Sequence, residues 1–164
     1  MAMVAEVWIY TRRLGLLSRA GHDLKLYVGD IALEVSGRTL SADIDPTQIM
    51  VVAAMRGGQA DAQCLSVRDR DAIHRSLQRS VLDSRRFPRI SFEGGHREDG
   101  LHGTLTLCGR PRPVSLPWAV RADRWIAEGE LDHRDFGIRP FSAMMGLLQV
   151  DPAVRLRVGL PALG

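Results

Sequence analysis

The chain has 164 residues, a formal net charge of +3, and 45% hydrophobic and 25% charged residues. This size predicts a single domain over residues 1–164, and the composition excludes a disordered chain. Basic residues are scattered among Asp and Glu without a clustered face, which argues against nucleic-acid binding. No apolar run approaches the roughly 18 residues of a transmembrane helix, so no membrane insertion is expected.

The N-terminal segment does not resemble a signal peptide. Glu6 interrupts its first apolar stretch, and Arg12 and Arg13 follow that stretch instead of preceding it. The two cysteines, Cys64 and Cys108, have no short spacing and are typical of inert thiols in a reducing compartment. The sequence therefore predicts a cytoplasmic protein.

Alternation of apolar and polar residues predicts β-strands through the first third of the chain. The predicted strands span residues 4–10, 24–28, 31–35, 40–44 and 49–55. Gly29 and Asp30 shift the apolar parity by one position, which predicts a bend or bulge between two strands. Ser36 and Gly37 predict a tight turn.

One helix is predicted, over residues 68–82. Ile73, Leu77 and Val81 recur at four-residue spacing and give it an apolar stripe. Ser66, with Asp69 three residues later, resembles a capping box. We expect this helix to lie across the sheet or to plug one end of it.

Strands return after the helix, at residues 90–92, 101–107, 114–120, 125–131 and 154–158. Gly94 and Gly95 predict a turn, and Pro117 predicts an edge or irregular position. With about eight strands and short turns, we predict an all-β fold, a closed antiparallel β-barrel with one inserted α-helix. Such a barrel is just wide enough to be filled by side chains or to hold one small ligand.

The sequence contains no pattern that indicates an enzyme or a metal site. No serine lies in a nucleophile elbow, no glycine-rich phosphate loop is present, and the five histidines lack zinc-ligand spacing. Glu128 and Glu130 alternate with apolar residues and are most simply the solvent face of a strand. No catalytic residue, metal ligand or cofactor is predicted.

Two groups of residues are candidates for contact with a ligand. Arg19, His22 and Asp23 lie at a predicted barrel mouth, where they would bind a polar head group; the alternative is that they satisfy local backbone groups. Apolar side chains form the second group, in which flexible methionines adapt to irregular apolar shapes; for these, core packing is the alternative. The second group is Leu17, Phe136, Phe141, Met144 and Met145.

Four blocks of the sequence, in order, resemble the YceI-like, polyisoprenoid-binding family. Residues 14–23 are similar to its glycine–histidine segment, and the helix running into residues 86–92 is similar to its helix and aromatic–Pro–x–Ile–x–Phe strand. Residues 103–114 resemble its Gly–x–Leu–Thr–Leu–x–Gly…Arg–Pro–Val hairpin, and residues 135–138 its Asp–Phe–Gly–Ile signature.

This resemblance implies a lipocalin-like eight-stranded barrel that holds a polyisoprenoid, an isoprenoid quinone or a fatty-acid-like amphiphile in an apolar tunnel, with a homodimer as a further expectation. The sequence departs from the family pattern by an extra proline in the hairpin, Pro111. Its aromatic content is also low, at 5%, so Leu, Val, Ile and Met would line the tunnel. One alternative is a filled barrel that binds proteins. Another is an enzyme acting on a quinone or acyl substrate through His22, Asp23 or Asp135.

Overall fold

The structure is a computed structural model that describes residues 3–14, 22–140, 142–143 and 148–163. It confirms an all-β chain with one α-helix. The helix, α1, spans Val67–Ser76. The strands are β1 Glu6–Thr11, β2 Arg13–Leu14, β3 Asp23–Val28, β4 Ala32–Ser36, β5 Thr39–Ile44, β6 Ile49–Arg56, β7 Gln59–Asp61, β8 Ile90–Arg97, β9 Gly100–Leu107, β10 Arg110–Arg121, β11 Arg124–Asp132, β12 Ser142–Ala143, β13 Leu148–Val150 and β14 Ala153–Pro161.

Eleven of these strands form one curled antiparallel sheet. Their order is β4-β5-β8-β9-β10-β11-β14-β1-β3-β6-β7, and a small second sheet has the order β12-β13-β2. The described strand pairs leave β4 and β7 at the two ends of the large sheet. Its eleven strands exceed the eight predicted, in part because two long strands are each interrupted at a corner.

The interruption between β3 and β4 confirms the predicted bend. Asp30 adopts a left-handed conformation with φ of 48°, so the chain turns at this point and the inward parity changes. A matching corner separates β5 from β6, where a 3₁₀ turn spans Pro46–Gln48 and the Asp45 carboxylate accepts a 2.9 Å hydrogen bond from the Thr47 backbone N–H. The two corners are joined by a 3.0 Å hydrogen bond from the Gly29 N–H to the Gln48 carbonyl oxygen.

Helix α1 begins at the predicted capping box. The Ser66 hydroxyl accepts a 3.1 Å hydrogen bond from the Asp69 N–H, and the Asp69 carboxylate accepts a 3.0 Å hydrogen bond from the Ser66 N–H. A π-helical turn, Leu77–Val81, extends the helix. Ile73, together with Leu77 and Val81, packs against the core, so the predicted apolar stripe is confirmed.

The turn predicted at Gly94 and Gly95 is wrong. Both residues lie inside β8, which continues to Arg97. A Cβ atom at Gly94 would lie 2.2 Å from the His102 carbonyl oxygen and 2.5 Å from the Gly103 Cα. Glycine is required here because β9 approaches the backbone closely, and not because the chain reverses.

Strand β10 is shared between two neighbours. It pairs with β9 from Arg110 to Pro117 and with β11 only from Trp118 to Arg121. The strand contains three prolines, Pro111, Pro113 and Pro117, which lack a backbone N–H donor. They are separated by even numbers of positions, so the missing donors all lie on the same edge of the strand. The 3₁₀ turn His133–Phe136 lies beside the part of β10 that does not pair with β11.

The buried side chains form two clusters along the inside of the sheet. The first cluster lies beneath α1 and contains Leu26, Val28, Ile49, Val51, Ala54, Leu65, Leu82, Ile90, Phe136 and Ile138. The second cluster lies further from the helix and contains Ala5, Leu40, Leu101, Leu116, Ala127, Leu160 and Leu163.

Candidate ligand-binding cavity

A cavity of about 520 Å³ lies inside the curled sheet, between it and α1. This volume falls within the range of roughly 300–1,000 Å³ that small-molecule sites usually have. Side chains from both buried clusters contribute to its wall. Leu, Ile and Val predominate there, as in Val7, Ile9, Leu24, Leu26, Val28, Ile31, Leu33, Ile44, Leu105, Leu107, Val154, Leu156 and Val158.

Strand alternation explains why the wall is apolar. Along β1, Val7, Ile9 and Thr11 face the cavity, whereas Trp8 and Tyr10 face outward. The outward ring of Trp8 lies 4.2 Å from the ammonium group of Lys25 on the neighbouring strand β3. The outer face therefore carries cations and aromatic rings, while the aliphatic face is turned inward.

Four of the five described polar residues of the wall lie towards one end, and the fifth, Ser76, belongs to α1. In the strand register, Thr11 lies opposite Leu24, and Leu131 lies opposite Val154. Arg13, His22 and His133 lie two residues beyond Thr11, Leu24 and Leu131 respectively, in the same direction, and all three line the cavity. The opposite end is lined by aliphatic side chains of the second cluster, Ala5, Leu40, Leu101, Leu116 and Leu160.

No Asp or Glu is among the described residues that line the cavity. Glu128 and Glu130 lie on the outer face instead, where their carboxylates are 3.5 Å from guanidinium groups of Arg157 and Arg12 respectively. In the described part of the chain, no group of three or more His, Cys, Asp or Glu residues is arranged to hold a metal ion. The wall is thus suited to enclosing an apolar molecule.

Three of the residues predicted to contact a ligand lie in the described part of the chain. His22 and Phe136 line the cavity, with His22 exposed at its polar end and Phe136 only 2% exposed. Asp23 is not among the lining residues, and its carboxylate accepts a 2.9 Å hydrogen bond from the Arg13 backbone N–H. The predicted residues outside the described ranges are Leu17, Arg19, Phe141, Met144 and Met145.

His22 has a second neighbour at the polar end of the cavity. The Cys64 sulfur lies 3.9 Å from both nitrogens of the His22 ring. Cys64 belongs to the 3₁₀ turn Ala62–Cys64, which leads into α1. The exposed imidazole therefore lies between the approach to the helix and the cavity wall.

One residue of the wall, His133, was not singled out by the sequence analysis. It is 9% exposed, and its Nε2 atom is buried without a hydrogen-bond partner. Burial lowers the pKa of this imidazole below its ordinary value, which favours the neutral form. His133 follows Leu131 by two residues and so continues the inward alternation of Ala127, Gly129 and Leu131, but a 3₁₀ turn begins at His133, so the sequence alone does not fix the direction of its side chain.

Comparison with known protein families identifies the domain. The model of the YceI-like domain matches residues 20–162. The chain belongs to the YceI-like family. The predicted family resemblance is thereby confirmed. A search of curated proteins finds no match.

Solved structures share the fold of this YceI-like chain at low sequence identity. BcnA of Burkholderia cenocepacia has a TM-score of 0.64 at 12% identity, covering 97% of this chain and 96% of its own. A polyisoprenoid-binding domain from Saccharophagus degradans, implicated in plant cell wall breakdown, has a TM-score of 0.63 at 10% identity, covering 99% and 96%. A YceI protein of Campylobacter jejuni has a TM-score of 0.55 at 14% identity, covering 84% and 82%.

Within the described residues, no helix has both the length and the apolar character needed to cross a membrane.

Proposed function

We propose that this YceI-like protein binds a polyisoprenoid, an isoprenoid quinone or a fatty-acid-like amphiphile, with its apolar chain inside the cavity. The observation that carries the proposal is the 520 Å³ cavity with its aliphatic wall and polar residues at one end. Such a cavity complements a molecule with a long apolar chain and a small polar head. The name of the Saccharophagus degradans neighbour, a polyisoprenoid-binding domain, supports the same ligand class.

The wall would hold the chain by burying its carbon atoms. Each buried CH₂ group contributes about 0.8 kcal/mol, which corresponds to roughly a four-fold gain in affinity. Affinity should therefore rise about four-fold with each added carbon in a series of linear alcohols, and stop rising when the chain fills the cavity. A packed interior, as in a filled-barrel interaction module, would give no such dependence on chain length.

We also propose that binding is the whole activity of the cavity and that no bond of the ligand is broken. The cavity wall carries no Asp or Glu among its described residues, and its described ionisable side chains are Arg13, His22 and His133. Among its described residues, this wall carries no paired carboxylates and no activated nucleophile of the kinds that acid–base and covalent catalysis use. Recovery of the bound molecule with a changed mass would contradict this proposal.

Two long bent strands support closure of the sheet into a lipocalin-like barrel of eight strands. If β3 with β4 and β5 with β6 are each counted as one strand, the long strands number eight, with β2, β7, β12 and β13 as short additions. The hydrogen bond of 3.0 Å from Gly29 to Gln48 joins the two bent strands at their corners. We propose that this junction closes the ring around the ligand.

Replacing each of two alanines with phenylalanine tests the binding site. Ala42 lines the cavity on β5, whereas Ala32 lies exposed on the paired strand β4. In Ala42→Phe the added ring occupies the space of the ligand, so we expect the affinity for geranylgeraniol to fall about ten-fold or more, the equivalent of at least 1.4 kcal/mol. Ala32→Phe should bind as the unaltered protein does.

Binding would be measured by calorimetry, after circular dichroism has shown that both variants are folded. Equal affinity in the two variants would place the ligand outside the cavity. No binding of geranylgeraniol, linear alcohols or fatty acids by the unaltered protein would reject the proposed function itself.

A further inference from the structure

Three polar side chains form a hydrogen-bonded chain on the outer face of the sheet, at β9 and β10. The Ser115 Oγ and the His102 Nδ1 are 3.0 Å apart, and the His102 Nε2 lies 2.9 Å from the Asp99 Oδ1. A serine, a histidine and a carboxylate linked in this order are the parts of a nucleophilic catalytic triad, which is recognised by geometry and not by sequence position. All three residues lie outside the lining of the cavity.

The strand register explains why these side chains meet. Ser115 on β10 is paired directly with His102 on β9, while the next residue, Leu116, lines the cavity. Because successive side chains of a strand alternate between its faces, Ser115 and His102 share the outer face. Asp99 directly precedes β9, and its carbonyl oxygen accepts a 3.3 Å hydrogen bond from the Trp118 N–H. The paired strands therefore hold all three groups in place.

The partners of His102 determine which of its nitrogens acts as a base. An ionised carboxylate only accepts hydrogen bonds, so in the neutral ring Nε2 carries the proton and Nδ1 accepts from the Ser115 hydroxyl. In serine proteases Nε2 is the base, whereas here it is Nδ1. The hydrogen bond from His102 lowers the pKa of Asp99, so its carboxylate stays ionised at neutral pH and stabilises an imidazolium.

The Ser115 hydroxyl lies beside an edge of β10 that carries a free backbone donor. Ser115 is exposed, and β11 pairs with β10 only from Trp118 onward. Since the Trp118 N–H points towards Asp99, the N–H of Ser115, three positions earlier, points to the opposite edge. No described strand pairs with Ser115 on that edge, so its N–H is available to a negatively charged oxygen that forms at the hydroxyl.

We propose that Asp99, His102 and Ser115 form an esterase site that hydrolyses small, uncharged carboxylic esters on the outer face of the sheet. The Ser115 Oγ attacks the carbonyl carbon of the ester, and its proton passes to the His102 Nδ1. The bond to the leaving oxygen then breaks, and this proton leaves with the alcohol. Water that is deprotonated by the same nitrogen hydrolyses the acyl-serine and releases the carboxylic acid. This activity is separate from the proposed ligand binding and goes beyond it.

The surroundings of Ser115 favour an uncharged substrate. Pro113 and Pro117, two positions before and after it on the same face, are exposed and carry no charge. The carboxylate of Asp99 is negative and repels an anionic ester. Because the site lies outside the cavity, substrate binding contributes little to the rate, and a reactive leaving group such as 4-nitrophenol is required.

The experiment uses the full chain in a mildly alkaline buffer, in which imidazoles are neutral. 4-Nitrophenyl acetate serves as the substrate, and a fluorophosphonate serves as a serine-directed probe. Peptide mass spectrometry should find the acetyl group and the phosphonyl group on Ser115. We expect Ser115→Ala and His102→Gln each to lower the rate of nitrophenol release about ten-fold or more, because each removes a partner of the proton transfer. Asp99→Asn should also lower it, since the imidazolium loses its carboxylate.

Two variants serve as matched controls and should keep the rate of the unaltered protein. Ser36 is likewise an exposed strand serine, and its described hydrogen bond is one that its backbone carbonyl accepts from Thr39. Ser36→Ala therefore controls for reaction of exposed serines in general. His96 lies 3.1 Å from the Gly37 carbonyl oxygen, so His96→Gln controls for hydrolysis by other imidazoles.

An unchanged rate in Ser115→Ala would overturn the inference, as would acetyl and phosphonyl groups found only on other residues. Should a triad variant fail to fold by circular dichroism, labelling of the unaltered protein before and after denaturation in urea decides instead. Labelling of Ser115 in the folded protein alone would support the site, and equal or absent labelling would contradict it. Affinity for geranylgeraniol should be the same in Ser115→Ala, so the proposed function is tested separately.

Discussion

Two histidines that line the polar end of the cavity differ in their burial. His22 is exposed and lies beside the Cys64 sulfur, so water and that neighbour can satisfy its ring. His133 is buried and has one unpaired nitrogen. Protonation of the buried ring therefore opposes folding.

The lowered pKa of His133 predicts how stability depends on pH. In the unfolded chain the imidazole titrates near its ordinary pKa of about 6.5, and in the folded protein burial keeps it neutral to lower pH. Below about pH 6.5 the unfolded state therefore binds more protons, so the free energy of unfolding falls as the pH falls towards the folded pKa. Urea denaturation at a series of pH values would measure this loss.

His133→Gln is the comparison for that measurement, because it removes the titrating group and keeps a polar side chain. We expect its free energy of unfolding to decline less between pH 6.5 and 5 than that of the unaltered protein. Asp132, whose pKa is held at about 2 by hydrogen bonds from Arg134, titrates well below this interval. Parallel pH profiles of the two proteins would contradict the prediction.

At the scale of elements, the corners of the bent strands position the cavity wall. β3 and β4 are separated at Gly29 and Asp30, and β5 and β6 at the turn Pro46–Gln48. Side chains on both halves of each strand face the cavity, for example Val28 before the first corner and Leu33 after it. The corners allow this pair of bent strands to wrap around the cavity while the aliphatic face of each strand stays turned inward.

Substitutions at Gly29 test the contribution of the corner. Gly29→Pro removes the N–H that donates to Gln48, so we expect a loss of about 1–3 kcal/mol in the free energy of unfolding. Gly29→Ala keeps this N–H, and its Cβ would meet only atoms at 3.5 Å or beyond, so its effect should stay within about 1 kcal/mol. Denaturant unfolding would compare the two, and equal stability would show that this bond does not hold the corner.

Those parts of the fold that depend on local patterns could be predicted from the sequence. Alternation identifies β1, β3 and β9 because each has one face against the core, and the parity shift at Gly29 and Asp30 reveals the bend. The helix start follows from Ser66 and Asp69, whose capping bonds are local in sequence.

Features that depend on contacts between distant residues could not be predicted. A glycine is compatible with a turn and with a closely packed strand, so the sequence does not distinguish the two at Gly94. Only the close approach of His102 and Gly103 shows that Gly94 lies within a strand. His133 lies just past the end of β11, where a 3₁₀ turn begins and the two-residue period no longer fixes the direction of a side chain. The burial of its unpaired Nε2 follows from packing between residues that are distant in sequence.

At the scale of the whole molecule, the cavity has an aliphatic end and a polar end, which matches the chemistry of a single-headed amphiphile. The YceI-like family match over residues 20–162 and the similar solved structures establish the fold in which this cavity lies. The cytoplasmic location and the homodimer stay predictions, to be tested by cell fractionation and by sedimentation.

Native mass spectrometry of the purified protein, combined with analysis of its organic extract, tests whether the cavity holds a ligand. We expect a mass increment for one bound molecule and a matching isoprenoid, quinone or fatty-acid species in the extract. The mass of that species should be unchanged after prolonged incubation with the protein. A spectrum of the protein alone, with no uptake of added polyprenols or fatty acids, would show that the protein does not bind this class of ligand.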